Sequence, residues 1–233
     1  MVTIKNLRNI FTQQALLSKI HLVHKNISFV SIANNDVQGL RSRIFIFDAY
    51  KNTYKPLHEY VPFYFATHTP MLYVQYTNRI QEEIVIIEVR RSILTTPRVI
   101  FTDGNASMQQ LSKPGTERVF IKPATKQNPS CYREYKPQNM PLGGNSNRSN
   151  FYGDISFLKL LDWNIINDRD FRDPERKRIK QAEILVPDRV PLENIEGISV
   201  STMRMAERVN TLIKEYNLTH LLPQVTYNPA LFF

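Results

Sequence analysis

The sequence contains a single cysteine, Cys131, and this shortage excludes two kinds of protein. One thiol cannot form an intramolecular disulfide framework, and it cannot build a metal site from several cysteines. So little cysteine favours a reducing compartment. Residues 1–14 lack the continuous apolar core of a signal peptide, and no apolar run approaches the length of a membrane span. We therefore expect a cytoplasmic protein without membrane contact.

Acidic residues are too few to balance the basic ones. The 233 residues include 30 lysines and arginines against 21 aspartates and glutamates, which gives a formal net charge of +9 at pH 7. Such an excess favours a polyanionic partner, because each phosphate that a cation neutralises releases counterions. A generally basic, solvated surface is the alternative, and charge alone does not decide between the two.

The sequence also lacks the short motifs of several common enzyme classes. It has no GxGxxG, no P-loop, no HExxH and no GxSxG. The five histidines are scattered, and His21 and His24, three residues apart, have no accompanying carboxylate pattern. We expect no metal ion, so any catalytic site has to be assembled from separated segments.

Short helices and strands alternate along the chain without a regular βαβ cadence, which predicts an α+β fold. Apolar residues at helical spacing predict amphipathic helices over residues 4–20 and 203–216. The pair Asp173-Pro174 predicts the start of a short charged helix that runs through Lys180. Aromatic and β-branched runs predict strands over residues 61–65, 83–89, 98–101, 183–186 and 195–200. Residues 72–76 fit either a strand or the start of a helix. Residues 31–43 fit a polar loop that contains one helical turn.

One stretch differs from the rest of the chain. Residues 107–150 carry seven basic residues against two glutamates, together with several prolines and the pair Gly143-Gly144. This composition predicts an insertion, rather than a regular layer, within a single domain of residues 1–233. One interpretation is a solvated surface loop. The other is a nucleic-acid arm, because aromatic residues stand among cations that include Lys122, Lys126 and Arg133.

Four separated segments form a pattern when they are taken in order. They are Val37-Gln-Gly-Leu-Arg-Ser-Arg43, then Tyr60-Val-Pro-Phe-Tyr-Phe65 with His68-Thr-Pro-Met-Leu-Tyr73, then Phe101-Thr-Asp-Gly-Asn-Ala106, and finally Leu161-Asp-Trp163 with residues 176–186. In order and approximate spacing these segments resemble the DarT-type DNA ADP-ribosyltransferases, the toxins of certain bacterial toxin–antitoxin pairs. The resemblance covers nearly the whole chain except residues 107–150.

This resemblance implies an ADP-ribosyltransferase-like split β-sheet with flanking helices. The implied reaction transfers ADP-ribose from NAD⁺ to a nucleobase, with single-stranded DNA as the favoured acceptor and RNA close behind. The resemblance also implies a toxin role, in a toxin–antitoxin or an antiphage system, with a macrodomain-type antitoxin that removes the mark as the partner. Glu183 matches the catalytic glutamate of the family, and Arg41 matches the arginine that contacts NAD⁺. Further cofactor contacts are expected from Tyr64, His68, Met71 and Tyr73.

The chemistry explains why such a site needs a carboxylate and an arginine. Cleavage of the nicotinamide–ribose bond builds positive charge on the ribose, which a carboxylate stabilises while it helps to deprotonate the attacking base. An arginine holds a phosphate or the catalytic constellation through paired donors. The alternative for Glu183 is an exposed strand-edge position, and the apolar run that follows it argues against this. Burial in the core is the alternative for Tyr73.

Residues 162–180 correspond to the loop that recognises the acceptor in ADP-ribosyltransferases. The cations of this segment are therefore expected to contact phosphates: Arg169, Arg172, Arg176, Lys177, Arg178 and Lys180. A solvated helix face diluted by acidic neighbours is the alternative.

Two departures from the family's pattern stand out. The family usually begins with a strand whose histidine contacts NAD⁺, and this sequence starts too late to include it. A shortened start, another way of holding NAD⁺ and a loss of activity are the alternatives. In addition, His68 stands where an arginine is common, which implies a different affinity for substrate or cofactor.

Two rival functions use the same residues. A protein-directed ADP-ribosyltransferase would label protein rather than an oligonucleotide. A non-enzymatic nucleic-acid-binding relative would bind DNA and release no nicotinamide. The identity of the labelled acceptor therefore separates all three functions.

Overall fold

A computed structural model describes residues 1–48, 52–107, 149 and 151–233, and it describes the backbone of residues 117–120 and 132–135. The α+β class that the sequence predicts is confirmed. The strands are β1 (Val2–Thr3), β2 (Ala15–Leu17), β3 (Ile44–Asp48), β4 (Thr53–Pro56), β5 (Tyr60–Tyr64), β6 (Ile84–Val89), β7 (Ile100–Thr102), β8 (Glu117–Phe120), β9 (Tyr132–Tyr135), β10 (Phe151–Tyr152), β11 (Glu183–Pro187), β12 (Arg189–Pro191), β13 (Ile195–Val200) and β14 (Thr226–Tyr227). The α-helices are α1 (Leu7–Gln13), α2 (Lys19–His24), α3 (Asn35–Arg41), α4 (Pro70–Thr77), α5 (Trp163–Asn167), α6 (Pro174–Ile179) and α7 (Met203–Glu215). Short 3-10 helices cover Ile4–Asn6, Leu57–Glu59, Gln81–Glu83, Arg91–Thr95, Ile155–Leu160, Leu192–Asn194 and Pro229–Leu231.

Two four-stranded sheets make up the two halves of a split sheet. The first has the strand order β1-β6-β13-β14, and the second has the order β10-β7-β11-β5. Neighbouring strands in these sheets run antiparallel, except that β13 and β14 are parallel. The apolar runs 83–89, 183–186 and 195–200 supply the interior strands β6, β11 and β13, and most residues of these strands are buried.

Strand β11 is central to the second sheet because its residues are almost all apolar. All five are buried, and the strand pairs with β5 along one edge and β7 along the other. Since alternate side chains of a strand face opposite sides of the sheet, Ile184 and Val186 join the main core while Leu185 joins a second core cluster with Ile44. Glu183, at the start of the strand, therefore faces the same side as Leu185.

The N-terminal segment is broken where the sequence predicts one helix over residues 4–20, so that prediction is wrong. Helix α1 ends at Gln13, and Gln14 adopts a left-handed backbone conformation with φ of 48°. Residues Ala15–Leu17 then form β2, which pairs with β12. The spacing of apolar residues does not reveal this break, because Leu17 lies seven residues after Ile10 and that spacing also fits one face of a helix.

Two segments with an uncertain or polar pattern are helical. Asn34 begins α3, since its side-chain oxygen accepts hydrogen bonds from the backbone N–H groups of Asp36 at 2.7 Å and Val37 at 3.4 Å. Thr69 begins α4 through a hydroxyl that accepts from the next turn, and proline occupies the first helical position. The predicted loop over residues 31–43 is therefore wrong for residues 35–41, where the helix is longer than the one turn expected, and Arg41 lies in the last turn of α3.

The C-terminal half follows the sequence prediction closely. The side chain of Asp173 accepts hydrogen bonds from the backbone N–H groups of residues 175 and 176, at 3.0 and 2.9 Å, and so starts α6. Helix α7 buries one apolar face that includes Val209 and Leu212. Capping residues and periodicity agree in this half, which explains why local patterns were sufficient here.

Part of the predicted insertion is regular. Strand β8 pairs in parallel with β3 and antiparallel with β9, in a sheet of order β4-β3-β8-β9. The expectation of an irregular excursion is therefore wrong for residues 117–120 and 132–135. Lys122 and Lys126 lie outside the described residues, as does the side chain of Arg133, so their contacts with nucleic acid stay predictions.

His58 links the chain before β5 to helix α3 and should give the stability of the fold a pH dependence. Its Nε2 atom lies 3.2 Å from the carbonyl oxygen of Gln38. Burial, assisted by the charge of Lys19, lowers the pKa of His58 to about 4. An unfolded histidine titrates near 6.5, so between these values the unfolded chain binds the proton and the folded chain does not. The free energy of unfolding should therefore fall as the pH drops from about 6.5 to about 4.

Urea unfolding at closely spaced pH values measures this effect. The matched control is His58→Gln, whose amide can still donate to the Gln38 carbonyl but cannot titrate. Its free energy of unfolding should fall less steeply over the same interval. Equal slopes for the two proteins would show that His58 does not contribute.

Candidate active site

Glu183 is buried at the start of β11, with 1% of its surface exposed. Its backbone N–H donates to the hydroxyl oxygen of Thr102 in β7 at 2.9 Å, and its register partner in β5 is Tyr64. An exposed strand-edge position is therefore wrong for this residue. Because an isolated buried carboxylate is costly, its charge needs partners.

The first partner of the carboxylate is Arg41. Its Nη1 atom donates to both carboxylate oxygens of Glu183, at 3.0 Å to Oε1 and 2.9 Å to Oε2. Arg41 is itself 6% exposed, so both charges lie inside the protein. The two residues are 142 positions apart in the sequence. The fold thus joins the residue that matches the family's catalytic glutamate and the residue that matches its NAD⁺-contacting arginine.

The second partner is a backbone amide in the turn that follows β7. The N–H of Ala106 donates to Oε1 of Glu183 at 3.0 Å. Asn105 holds the turn in place, because its backbone N–H donates to the carbonyl of Arg178 and its side-chain amide donates to Gln181 at 2.9 Å. The amide therefore points at the carboxylate through backbone geometry rather than through a flexible side chain.

Arg178 anchors the same turn to α6. Its guanidinium donates to the side chain of Asp103 at 3.0 Å, to Ser149 at 3.3 Å and to Glu175 at 2.7 and 2.9 Å. Although Arg178 belongs to a basic run of the sequence, its side chain is turned into the protein. A Cβ atom on Gly104 would lie 2.4 Å from Nη1 of Arg178 and 2.7 Å from Oγ of Ser149. The close approach of the turn to Arg178 therefore requires glycine.

Gly104→Ala should lower the activity of the protein by about tenfold or more. The added methyl group pushes the turn away from Arg178 and so moves the Ala106 amide off Glu183. Loss of one hydrogen bond to a charged group is worth about 1.5–3 kcal/mol, and about 1.4 kcal/mol is a tenfold change in rate. The measurement is nicotinamide release at varied NAD⁺ concentration, which separates kcat from KM.

The matched control for this substitution is Gly39→Ala in α3. Nothing lies within 4 Å of a Cβ atom added there, and alanine favours a helix more than glycine does. This variant should keep its activity and be at least as stable as the unmodified protein. If Gly104→Ala is as active as Gly39→Ala, the turn does not position the carboxylate.

Glu183 opens onto a cavity of about 1330 Å³. Arg41 and Glu183 line it together, and Phe65 and Trp163 supply aromatic wall. Lys19 supplies a cation at the same cavity and donates a hydrogen bond from Nζ to another lining residue at 3.0 Å. The volume exceeds the range of about 300–1,000 Å³ that is usual for small-molecule sites. One cavity therefore has room for a large ligand and part of a second.

Tyr64 and Met71 lie where the sequence predicts cofactor contacts, since both line the cavity. Tyr64 stands opposite Glu183 in the β5–β11 pairing. Burial, together with the negative charge of Glu183, raises the pKa of the Tyr64 phenol. The phenol therefore keeps its proton at neutral pH and can donate a hydrogen bond. The contacts of Tyr64 and Met71 with NAD⁺ stay predictions.

His68 and Tyr73 lie elsewhere, and neither lines this cavity. Nε2 of His68 is 3.1 Å from the carbonyl oxygen of Phe232, and its ring lies edge-on to Phe233. Tyr73 is 41% exposed, so the alternative of a core position is wrong for it. The structure thus brings four of the six predicted catalytic and cofactor residues to the cavity, namely Arg41, Tyr64, Met71 and Glu183.

The predicted acceptor-binding cations differ in their surroundings. Lys177 is exposed and lines the cavity. Arg172 and Arg176 form ion pairs with acidic neighbours on the same segment, and Arg169 donates a hydrogen bond to a backbone carbonyl near the C-terminus. Of these four residues, Lys177 is the one that the structure places at the cavity.

Several contributors to the site were not identified as such from the sequence, although the quoted segments contain many of them; they include Asn105, Ala106, Trp163 and Gln181. A backbone amide such as that of Ala106 carries no residue-type signal, although the Asp103-Gly-Asn turn marks where the chain reverses. Trp163 lies edge-on to Phe65, with ring centroids 5.5 Å apart, and could have been found as an aromatic residue in the segment before Glu183.

No group of three or more histidine, cysteine, aspartate or glutamate side chains within the described ranges could hold a metal ion. In the same part of the chain, no helix is both long enough and apolar enough to cross a membrane. Around the carboxylate of Glu183 the structure places the guanidinium of Arg41, the backbone amide of Ala106 and the strand neighbour Tyr64.

Comparison with known proteins gives consistent results. The family model described as "DarT: ssDNA thymidine ADP-ribosyltransferase, DarT" matches residues 1–125 and 138–233. A DNA ADP-ribosyl transferase of Thermus sp. (strain 2.9) is 28% identical over 161 residues, which cover 69% of this chain and 62% of the relative. Another, from Escherichia coli O127:H6, is 26% identical over 175 residues, which cover 70% of this chain and 63% of the relative. The matched part thus spans less than two thirds of either relative.

Solved structures are similar over nearly the whole chain. Thermus sp. 2.9 DarT in complex with ADP-ribosylated ssDNA has a TM-score of 0.73 and 24% identity, and covers 99% of this chain and 93% of its own. The same protein in complex with NAD⁺ has a TM-score of 0.69 and 22% identity, with 99% and 94% covered. These likenesses confirm the ADP-ribosyltransferase-like fold. Because the family model matches every residue outside 126–137, the chain belongs to the DarT family of ssDNA thymidine ADP-ribosyltransferases.

Proposed function

We propose that this protein transfers ADP-ribose from NAD⁺ to a thymine base of single-stranded DNA. The observation that carries the proposal is the buried Glu183 carboxylate, which Arg41 and the Ala106 amide hold at the wall of a large cavity. Family membership supports the choice of substrates, as do the relatives solved with NAD⁺ and with ADP-ribosylated ssDNA.

The cavity has surfaces that suit the parts of NAD⁺. Tyr64, Phe65 and Met71 provide aromatic and apolar wall for the flat nicotinamide ring. Lys19 lies on the same cavity and provides a positive charge for the pyrophosphate. The carboxylate of Glu183 is left for the ribose between these two parts. The residues present therefore fit a dinucleotide.

The two carboxylate oxygens of Glu183 differ in the hydrogen bonds that they already accept. Oε1 accepts from Arg41 and from the Ala106 amide, whereas Oε2 accepts from Arg41. Since a carboxylate oxygen has about two lone-pair sites, Oε2 has the greater remaining capacity. We assign Oε2 as the atom that faces the ribose and later takes a proton.

The reaction breaks the bond between C1 of the ribose and the nicotinamide nitrogen, and the bonding electrons leave with nicotinamide. The positive charge that builds on the ribose is stabilised by the carboxylate of Glu183. Arg41 holds that carboxylate in position through its two hydrogen bonds. Attack from the side opposite the departing nicotinamide inverts the configuration at C1.

The attacking atom is a ring nitrogen of thymine. Within a DNA strand N1 of thymine is bonded to deoxyribose, so N3 is the ring nitrogen that carries a proton. As N3 bonds to C1 of the ribose, its proton passes to Oε2 of Glu183, which acts as the general base. The products are free nicotinamide and ADP-ribosylated thymine, and the proton is then released to water.

The test combines the protein and NAD⁺ with single-stranded oligonucleotides that differ at one position, and measures products by mass spectrometry. The oligonucleotide with one thymidine should gain one ADP-ribose group. Matched oligonucleotides with N3-methylthymidine or cytidine at that position, and the RNA version, should gain less or none. Labelling of the N3-methyl oligonucleotide would refute N3 as the acceptor atom. Labelled protein, or oligonucleotide binding without nicotinamide release, would favour one of the two rival functions.

We further propose that the protein acts as a cytoplasmic toxin whose mark is removed by a macrodomain-type antitoxin. The family resemblance supports this role, and so does a fold likeness to Thermosipho africanus DarTG in complex with ADP-ribose, with a TM-score of 0.69 and 22% identity over 50% of that chain. Expression in bacteria should arrest growth, and Glu183→Gln should not. Co-expression of a macrodomain hydrolase should restore growth, and failure of this rescue would exclude the proposed partner.

A further inference from the structure

Four aromatic rings that the site does not use lie together on the surface: Tyr73, Tyr76, Phe171 and Phe233. The ring of Tyr73 lies 5.2 Å from that of Phe233, 5.5 Å from that of Phe171 and 6.0 Å from that of Tyr76, measured between centroids. Tyr73 and Tyr76 are 41% and 48% exposed. We call these four rings the aromatic patch. Contiguous exposed apolar surface of this kind marks a contact site.

The aromatic patch is held in one arrangement. The backbone of Phe233 forms two hydrogen bonds with the side chain of Gln81, both of 3.0 Å. His68 contacts the preceding carbonyl and lies edge-on to the ring of Phe233. Tyr73 and Tyr76 belong to α4, which is capped at its start. The rings therefore form a preorganised surface, so that binding to it costs little conformational entropy.

The elements that form the aromatic patch also line the cavity. Helix α4 contributes Met71 and Val74 to the cavity, and Tyr73 and Tyr76 to the patch. The ring of Phe171 belongs to the segment that joins α5 to α6, and both of these helices contribute residues to the cavity wall. A polymeric substrate with one monomer in the cavity would therefore pass over α4, or over the segment between α5 and α6, to reach the aromatic patch.

We infer that the aromatic patch binds unpaired bases of the single strand that lie beyond the two immediate neighbours of the modified thymine, an inference that rests on the proposed function. Aromatic side chains stack on any base, and this is how proteins bind single strands with little sequence preference. Arg172, adjacent to Phe171, has a side chain that is 91% exposed but pairs with Asp170. The surface thus offers flat rings for bases and little unpaired charge for the backbone between them.

Stacking should dominate over charge in this contact. Arg172 and Arg176 already pair with acidic neighbours, so the segment beside the aromatic patch gains little net positive charge. Counterion release is therefore small here, whereas Lys177 at the cavity is exposed and positively charged. Removal of a patch ring should weaken binding without changing its salt dependence, and removal of Lys177 should reduce the log–log salt slope by about 0.7.

The first test measures binding of the full chain, without NAD⁺, to a thymidine-centred trinucleotide and to a longer single strand with the same centre. Tyr76→Leu and Phe171→Leu should each weaken binding of the longer strand by roughly 5- to 150-fold, the effect of losing one stacked base. Binding of the trinucleotide should be unchanged. Tyr76→Phe keeps the ring and should match the unmodified protein, and thermal unfolding checks that the variants fold alike.

The second test replaces single flanking bases of the longer strand by abasic sites. For the unmodified protein, one or two positions should lose affinity when the base is removed. The same abasic site should cost Tyr76→Leu or Phe171→Leu little further affinity, because the stacking partner is already absent. Additive losses would mean that the base and the ring do not touch.

Three results would overturn the inference. They are unchanged affinity in both leucine variants, equal losses for the trinucleotide and the longer strand, and normal DNA binding combined with lost self-association in sedimentation. The last would make the aromatic patch a protein interface. If the unmodified protein ADP-ribosylates both oligonucleotides and the two leucine variants bind the longer strand as tightly as it does, the inference fails and the proposed function stands. If the unmodified protein modifies neither, the proposed function itself fails.

Discussion

Glu183→Gln should lower the rate of ADP-ribose transfer by at least about a hundredfold, the usual scale for loss of a charge-stabilising or proton-accepting group. Glutamine has nearly the same shape as glutamate and can still accept a hydrogen bond from Arg41. It has no negative charge to stabilise the ribose and no capacity to take the proton of N3. The measurement is nicotinamide release at saturating NAD⁺ and oligonucleotide. Near-normal release by a folded variant would contradict the assignment.

Stability has to be separated from chemistry in this experiment, because Glu183 is also one partner of a buried ion pair. Removing one partner of such a pair costs about 3–5 kcal/mol, whereas replacing both by apolar residues is often neutral. The double variant Arg41→Met with Glu183→Leu should therefore unfold at nearly the same denaturant concentration as the unmodified protein and yet be inactive. Activity in this double variant would mean that the carboxylate is structural.

Local sequence patterns were sufficient to predict the strand that carries Glu183. The run from Ile184 to Val186 is apolar and has β-branched residues at both ends, which favours a buried strand. The same run draws attention to Glu183, because a glutamate at the start of a buried strand is unusual unless its charge has a function. The ion pair with Arg41 did not follow, because contacts between residues 142 positions apart depend on the packing of the whole chain.

The cofactor contacts show where a local pattern fails. If residues 72–76 were a strand, Met71 and Tyr73 would share one face, since side chains of a strand alternate with a period of two. The segment is a helix, in which two positions correspond to about 200° of rotation. Met71 therefore lines the cavity while Tyr73 joins the aromatic patch. The Thr69-Pro70 pair is a helix start signal, and it is the feature of the sequence that favours a helix over a strand here.

Charge counting fails for a different reason. The basic run of residues 176–180 predicts a solvated or phosphate-binding face, yet Arg178 and Lys180 are both buried. Arg178 holds the turn beside the site, and Lys180 donates to the carbonyl of Ile166 at 2.9 Å. Burial lowers the pKa of Lys180, which is consistent with a structural position. Composition counts charges, whereas the direction of each side chain depends on its place on the helix.

Arg41→Ala should lower the transfer rate by on the order of a hundredfold and reduce stability by about 3–5 kcal/mol, because it leaves the carboxylate of Glu183 buried without its counter-charge. The matched control is Arg43→Ala, two residues further on, whose side chain is exposed. This substitution should change the free energy of unfolding by no more than about 0.5 kcal/mol and the rate by less than twofold. Arg41→Lys keeps the charge without the planar guanidinium and should recover stability more fully than rate.

Calorimetric titration of NAD⁺ into these variants decides what Arg41 does beyond holding the carboxylate. An arginine in a mobile loop that closed over NAD⁺ would affect mainly the binding constant. In the structure Arg41 belongs to α3. Its guanidinium is buried and already donates hydrogen bonds to both carboxylate oxygens of Glu183. We therefore expect Arg41→Ala to lower kcat by a larger factor than it raises the Kd for NAD⁺. A loss confined to NAD⁺ binding, with kcat unchanged at saturation, would show that Arg41 serves the cofactor and that Glu183 keeps its position without it.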